Sequence, residues 1–384
     1  MKFTFKPSPV YRNAQSTSNI MRDLSLCLVV VLCASSVYYG VTYGMDVALR
    51  VILMAVFAVI AALVSEALYF KVTKVEDIKT AILHSYGWVT ALILVLITKV
   101  DVSYYAVIVC TVIAVIVGKL LFGGFGQNIF NPAAFGEALI MNSFVSSTNA
   151  DVTSKVFDAI SGGTPMAGAA SGYGWLIPSA NFSEFLSQYG GFGNMLLGNY
   201  PSVIGGSCAI VILLCGAFLI WRKDIDWHVS VTYLVSIFVI SLIVGLIKGA
   251  GFSYALFNVL GGGVLFGAVF MITDPVTTPL TIPGRIIFAV ATAALTLILR
   301  WKANLPDGVL FSILLMNMLT PAIDRFINGN QIKEAGKIRN KVLIVSLVVT
   351  LIAILVGATL KSETEETAMV KNMEVAAEVT SKGV

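Results

Sequence analysis

Residues 50–70, RVILMAVFAVIAALVSEALYF, decide the fold, because beyond Arg50 they carry one charged side chain, Glu66. A bilayer-spanning helix needs roughly 20 mainly apolar residues, so this stretch reads as one crossing. Similar runs lie at 24–44, 82–99, 103–122, 127–142, 201–221, 228–248, 254–273, 284–300, 305–323 and 342–360. The composition agrees. Of 384 residues, 57% are hydrophobic and 12% charged, and the mean hydropathy is +0.89. Soluble domains carry about 25% charged residues. The deficit is spread along the chain, which fits one membrane domain better than a soluble domain with an anchor. The first run begins near Asp23 and is long enough to span, so it reads as a helix and not as a cleaved signal.

Lys and Arg set the orientation. With the N-terminus in the cytoplasm, most of the 25 basic residues fall inside, including Lys71, Lys74 and Lys79, then Arg222 and Lys223, then Lys333 to Lys341. The positive-inside rule therefore favours this topology. The polar, Gly/Ser-rich segment 143–200 has one lysine, Lys155, and belongs outside. Shifting the span starts 24, 50, 82, 103 and 131 by one constant offset lands them near 201, 227, 259, 280 and 308, where the next five spans lie. Five helices per half is odd, so the second half must be inverted. The expected fold is an all-α polytopic membrane protein, with two inverted five-helix repeats, broken helices and one additional C-terminal helix. Its parts are a cytoplasmic N-terminal segment 1–23, repeats 24–142 and 201–324, the outside loop 143–200, and 325–384. That last part comprises a basic cytoplasmic loop, the extra helix and a tail, 361–384, that reads as disordered.

Two stretches are too rich in glycine and proline for ordinary helices: 123–132, with Gly123, Gly124, Gly126 and Pro132, and 261–279, with Gly261 to Gly263, Pro275 and Pro279. Non-helical backbone at membrane depth is tolerated where protein buries it or where it lines a cavity. Asn128 and Asn131 are three apart, so both amides can face one side of a turn and meet a heteroaromatic ring edge. An Asn before Pro132 is equally a helix cap, and both readings stand. Glu66, Glu137 and Asp274 are carboxylates in or at the ends of apolar spans, which marks them as functional candidates; Glu66 reads either as a group snorkelling to the interface or as part of a cation path. Asp307 and Asp324 at span ends read as caps or as interface groups. The cysteines, Cys27, Cys33, Cys110, Cys208 and Cys215, have no CxxC spacing and read as small membrane residues, so no metal site is expected. His84 and His228 lie near helix ends and do not suggest a bis-histidine haem. Scattered basic residues give no nucleic-acid surface.

The outside loop holds Asp158-Ala159-Ile160-Ser161-Gly162-Gly163-Thr164-Pro165. Taken alone it is a turn that presents the Thr164 hydroxyl on a glycine hinge, with a carboxylate six residues before it. The string closely resembles the flavinylation motif, in which a flavin transferase esterifies the Thr hydroxyl with the phosphate of FMN. The usual motif has Ala where this chain has Gly163. Three further stretches resemble the same family: Phe122-Gly123-Gly124 through Phe130-Asn131-Pro132-Ala133, Ile272-Thr273-Asp274-Pro275-Val276, and Pro306-Asp307-Gly308-Val309 through Met316-Asn317-Met318. The family comprises the D subunit of Rnf-type ion-pumping ferredoxin:NAD oxidoreductases and its homologue, the B subunit of the sodium-pumping NADH:quinone oxidoreductase. The resemblance covers roughly residues 1–325.

The resemblance implies covalent FMN on Thr164, within a motif that includes Asp158, Ser161, Gly162 and Gly163. It implies non-covalent riboflavin near Asn128, Asn131 and Asp274, beside the broken segments that contain Gly123, Gly124, Pro132 and Pro275. It links Glu66 to ion uptake. The implied function is electron relay between ferredoxin and NAD, coupled to Na+ or H+ translocation across a bacterial or archaeal cytoplasmic membrane. The protein would act within a hetero-oligomer of about six subunits. Gly118-Lys119 is followed by Leu120 where quinone-type relatives have an acidic residue, and the N-terminal extension is short; both favour the Rnf side. The alternatives are the quinone-type subunit and, in another class, a small-solute carrier or channel.

Overall fold

A computed structural model describes residues 16–144, 152, 165–198, 200, 202–303, 305, 308–327 and 334–360. Asp158, Ser161, Gly162, Gly163, Thr164, Asp307 and the tail 361–384 lie outside the described residues.

Regular structure among the described residues is helical. The first half holds α1 (Thr17–Tyr43), α2 (Met45–Val72), α3 (Ile78–Ser85), α4 (Gly87–Ile97), α5 (Tyr104–Ile116) and α6 (Pro132–Ser143). Then come α7 (Pro165–Tyr173), α8 (Ser179–Ser187) and α9 (Gly191–Leu197). The second half holds α10 (Ala209–Arg222), α11 (Trp227–Lys248), α12 (Gly251–Leu260), α13 (Val264–Met271), α14 (Ile282–Ala303), α15 (Gly308–Ile327) and α16 (Ala335–Ala358). Among the described residues eight helical stretches are long and apolar enough to cross a membrane, and the bent pair α12–α13 makes a ninth. This is a multi-pass membrane protein.

Several sequence-predicted spans differ in form. The run 82–99 is two helices, because Tyr86 takes a left-handed conformation (φ +54°) between α3 and α4. The run 127–142 is helical only from Pro132, since Asn131 is extended and caps the helix there. The run 201–221 opens with a 3-10 turn, Ile204–Ser207, before α10. The run 254–273 bends by 59° between α12 and α13. Gly262 makes the bend possible with φ +68°, a region side chains other than glycine rarely visit. Below the bend the coil widens, with Ile272 N–H reaching back to Gly267 O at 2.9 Å.

The segment 143–200 is more than a polar loop. Between 165 and 200 it forms three short helices, and Phe182, Phe185 and Met195 on them, with Trp175 and Tyr189 in the connections, are buried. Phe185 packs edge-on against Phe257 of α12, and Met166 sits directly on Gly261. Phe182 and Phe185, three apart on one helix, give that helix a single buried face within polar surroundings.

Two bundles result, α1–α2–α4–α5–α6 and α11–α12–α14–α15–α16, joined where α6 meets α15 and α1 meets α10. Their seam is closely packed. A Cβ at Gly205 would lie 2.9 Å from Leu96 and 3.0 Å from Phe266, and Ile204 N–H bonds Thr98 O at 3.0 Å. The outer faces of α1, α2 and α16 expose Val41, Leu49, Leu68, Leu347 and Leu355. That surface is suited to lipid or to other membrane proteins.

Helix ends inside the bundle need donors. Arg300 of α14, fully buried, donates to Asn258 O (3.0 Å) and Gly261 O (3.2 Å) at the end of α12. Arg50 does the same for the turn after α4, donating to Val100 O (2.8 Å) and Val102 O (2.7 Å), with its guanidinium 4.6 Å from the Tyr104 ring centroid. Hydrogen bonds from charged groups are worth about 1.5–3 kcal/mol each. Arg300→Met should therefore cost about 3 kcal/mol, read as a lower unfolding temperature by tryptophan fluorescence in detergent. An unchanged temperature would show that the bend holds itself.

Asp226 caps α11 and binds His228 and Arg285, the latter at 2.6 Å. Partial burial pushes its carboxyl up, but the bonds from His228 and Arg285 outweigh this and hold it below the usual range. A depressed folded-state pKa stabilises above the ordinary carboxylate value of about 3.9 and is lost as pH falls through the depressed value. Asp226→Asn should thus narrow the stability gap to wild type as pH drops below about 4. A constant gap over that range, in the same thermal assay, contradicts the account.

Candidate functional site

Between the two bundles, at the end where α1 begins, lies a cleft with about 750 Å³ between its walls, counting the part open to solvent. Its ceiling is the strand of backbone before α6. Gly123, Gly124 and Gly126 all take positive φ, which lets the chain double back after α5. Asn128 then turns its amide on Phe130 O, donating at 2.8 Å. Asn131 accepts from Ala133 N–H (3.0 Å) and Ala134 N–H (3.3 Å), and so caps α6. Its own N–H is taken by Asn317 of α15 at 3.0 Å, with the Asn317 amide oriented to donate to Ile313 O. Of the two readings of this pair, capping accounts for the Asn131 oxygen. The Asn128 side chain lines the cleft, beside its bond to Phe130 O.

The opposite wall follows α13. Asp274 accepts from Val276 N–H (3.1 Å) and from the Thr277 hydroxyl (3.3 Å), which fixes the turn that carries Pro275. Thr320 of α15 donates to Thr277 O at 2.8 Å and ties that turn to the bundle. The remaining walls are the aromatic rings Tyr86, Phe125 and Phe270, with Thr90, Thr273 and Lys119 between them. Tyr86 packs edge-on to Phe125 at 5.1 Å and its hydroxyl contacts Ser18 at 3.0 Å. At the mouth stands Asp224, whose carboxyl burial pushes up, aided by Asp23 nearby.

Asn128, Asn131, Pro132, Asp274 and Pro275 therefore meet in one cleft, and Gly123 and Gly124 shape the backbone behind it. Glu66 does not reach it. Its carboxylate is wholly buried behind α4, against Gly87, where a Cβ would collide with it. Ser85 donates to Glu66 Oε1 at 2.5 Å and Lys119 at 3.2 Å; Lys119 also donates to Ser85 O. Lys119 is 2% exposed, so this is a buried ion pair with one end in the cleft. Glu137 stands apart, bonded to Thr98 at 2.5 Å near the bend. Tyr86 and Lys119 are functional candidates that the sequence reading does not single out. A lysine inside the apolar run 103–122 is the signal that could have found one of them.

The arrangement suits a flat, mostly apolar ring with a polar edge, since few polar groups converge among aromatic walls. Comparison with known proteins shows the family. The sequence profile of the NQR2, RnfD, RnfE family matches residues 4–333. The D subunit of the proton-translocating ferredoxin:NAD(+) oxidoreductase complex of Clostridium ljungdahlii is 36% identical over 330 residues, 84% of this chain and 94% of that protein. The D subunit of the Na(+)-translocating ferredoxin:NAD(+) oxidoreductase complex of Acetobacterium woodii is 28% identical over 327 residues, 85% of this chain and 94% of its own length. The D subunit of the ion-translocating oxidoreductase complex of Salmonella paratyphi A is 28% identical over 352 residues, covering 85% of this chain and 97% of its own. With the profile spanning most of its length, the chain belongs to the NQR2, RnfD, RnfE family.

Proposed function

We propose that the chain is the flavin-carrying membrane subunit of an Rnf-type, ion-translocating ferredoxin:NAD oxidoreductase complex. It would hold riboflavin non-covalently in the cleft and FMN by a phosphoester on Thr164. The observation that carries this reading is the cleft itself. Aromatic walls from Tyr86, Phe125 and Phe270, with Asn128, Thr90 and Thr273 among them, match the two chemical faces of an isoalloxazine ring. The donor set fits, because an amide and hydroxyls offer both donors and acceptors to a pyrimidine edge. Asn128 would hold that edge, with the Lys119 ion pair behind it. The rings would cover the dimethylbenzene end and exclude water. When bound, the flavin supplies electron transfer; the protein supplies position and electronics.

Met166, two residues past Thr164, is buried on Gly261 at the α12–α13 bend. From there α13 runs toward Phe270 and the cleft, eight residues or about 12 Å of helix. Two flavins bound at these ends would be joined through one short helix. The inside position of the cleft, the outside position of Thr164 and the inverted relation of the two halves complete the reading. Other subunits of the complex supply donor and acceptor, and a flavin transferase modifies Thr164. The relatives' names differ in ion, proton in one and Na+ in another, and either fits.

Denatured protein from cells with an active flavin transferase should fluoresce in a gel under ultraviolet light, and Thr164→Ala should be dark. A dark wild-type band would sink the electron-carrier reading. Asn128→Ala should keep that fluorescence while lowering extractable riboflavin about tenfold, the equivalent of a lost bond of about 1.4 kcal/mol. Full riboflavin content in this variant would move the site elsewhere.

A further inference from the structure

Lys119 faces two ways. On one side its ammonium lies 3.2 Å from Glu66 Oε1 and bonds Ser85 O. On the other it lines the cleft, 6.0 Å from the Phe125 ring centroid. Glu66 Oε2 is buried and has no hydrogen-bond partner among the described residues. The pair is therefore half finished: one carboxylate oxygen takes both donors, and the other takes none among the described residues. Removing one partner from a buried ion pair leaves an uncompensated charge at high cost. Glu66 can release Lys119 only if another cation replaces it.

We propose that Lys119 is the positioning residue that ties charge in the cleft to Glu66: negative charge arriving on a ring bound there draws the ammonium off Glu66, and a monovalent cation takes its place at the carboxylate. The inference rests on the reading of the cleft as a flavin site. The balance is simple. One electron from the ferredoxin side enters the cleft and one cation enters at Glu66, so the buried net charge is unchanged. No covalent bond between heavy atoms forms or breaks. The Nζ–H···Oε1 contact opens and a cation–carboxylate contact replaces it. When the electron leaves, Lys119 returns and the cation is expelled. The other titratable groups that line the cleft with Lys119 are Tyr86 at the α3–α4 break, Asp274 after α13 and Asp224 between α10 and α11. Asp274 is held by Val276 N–H and Thr277. Neither aspartate makes the bond that Glu66 makes. The cation is a proton or Na+, since a carboxylate oxygen at this depth takes either.

The test is a redox titration of the non-covalent flavin in the purified complex, followed by visible absorbance at varied pH and Na+. Lys119→Gln should move its potential to more negative values and leave the covalent flavin unchanged, and Lys119→Arg should restore it. In wild type a tenfold rise in activity of the coupling cation should shift the reduced-to-oxidised ratio by up to about tenfold at fixed potential. In Glu66→Gln any Na+ dependence should vanish, and the pH dependence should fall to that of the flavin ring's own protonation. A pH dependence that Glu66→Gln reduces names the proton, and a Na+ dependence that it abolishes names sodium. An unchanged potential in Lys119→Gln, or pH and Na+ dependences that are both unchanged in Glu66→Gln, overturns the proposal. If Lys119→Gln fails to assemble, the Lys119→Gln/Glu66→Gln double variant removes both charges. It should show the negative shift with only the ring's own pH dependence, and a wild-type response from it overturns the proposal equally. A complex without non-covalent flavin refutes the reading of the cleft, and this inference with it. A bound flavin indifferent to Lys119 refutes the inference alone.

Discussion

Lipid offers no hydrogen bonds, so each helix break in this bundle has to be closed by the protein's own groups. Three side chains do most of this. Arg50 closes the carbonyls after α4, Arg300 closes those after α12, and Asn131 closes the amides at the start of α6. The cleft depends directly on the last of these: its ceiling is the backbone before α6, which Asn131 seals, and its far wall is the turn after α13, which Asp274 holds. Replacing any of the three sealing groups would strand polar backbone in an apolar interior. At Asn131 scaffold and site rest on the same bonds.

Charge is distributed under the same constraint. Glu66 and Lys119 are both almost wholly buried and sit within 3.2 Å of each other. Such a pair contributes little net stability and much conditional behaviour, because its energy depends on both members staying in place. Seating one member in the wall of a cleft makes the pair sensitive to what the cleft holds. Asp226, by contrast, is paired at a bundle end with Arg285 and His228, where water shares the load.

How much of this is legible in the sequence depends on the scale of the signal. Span positions are plain, because twenty apolar residues in a row leave few alternatives. Glycine and proline mark the breaks at 123–131 and 261–263. Nothing marks the break at Tyr86, since a tyrosine in left-handed backbone carries no compositional sign. Asn131 stands out in the sequence with both of its possible roles visible; the fold assigns its oxygen to the cap. Glu66 is visible as a costly carboxylate, but its partner is not, because Lys119 lies beyond another helix and pairing across helices has no sequence period. The helices between 165 and 200 are hidden by glycine and serine, which dilute the buried aromatics that organise them.

The seating of Met166 on Gly261 bears on how the molecule is made. The two residues are far apart in the chain, and α7 is synthesised well before α12 and α13. Until the second bundle has inserted and bent, the Gly261 surface under Met166 does not exist, so that part of the docking of α7 is a late event in biogenesis. A chain arrested before residue 261 would contain every residue of the 158–164 motif and yet lack the surface against which the adjoining helix is held.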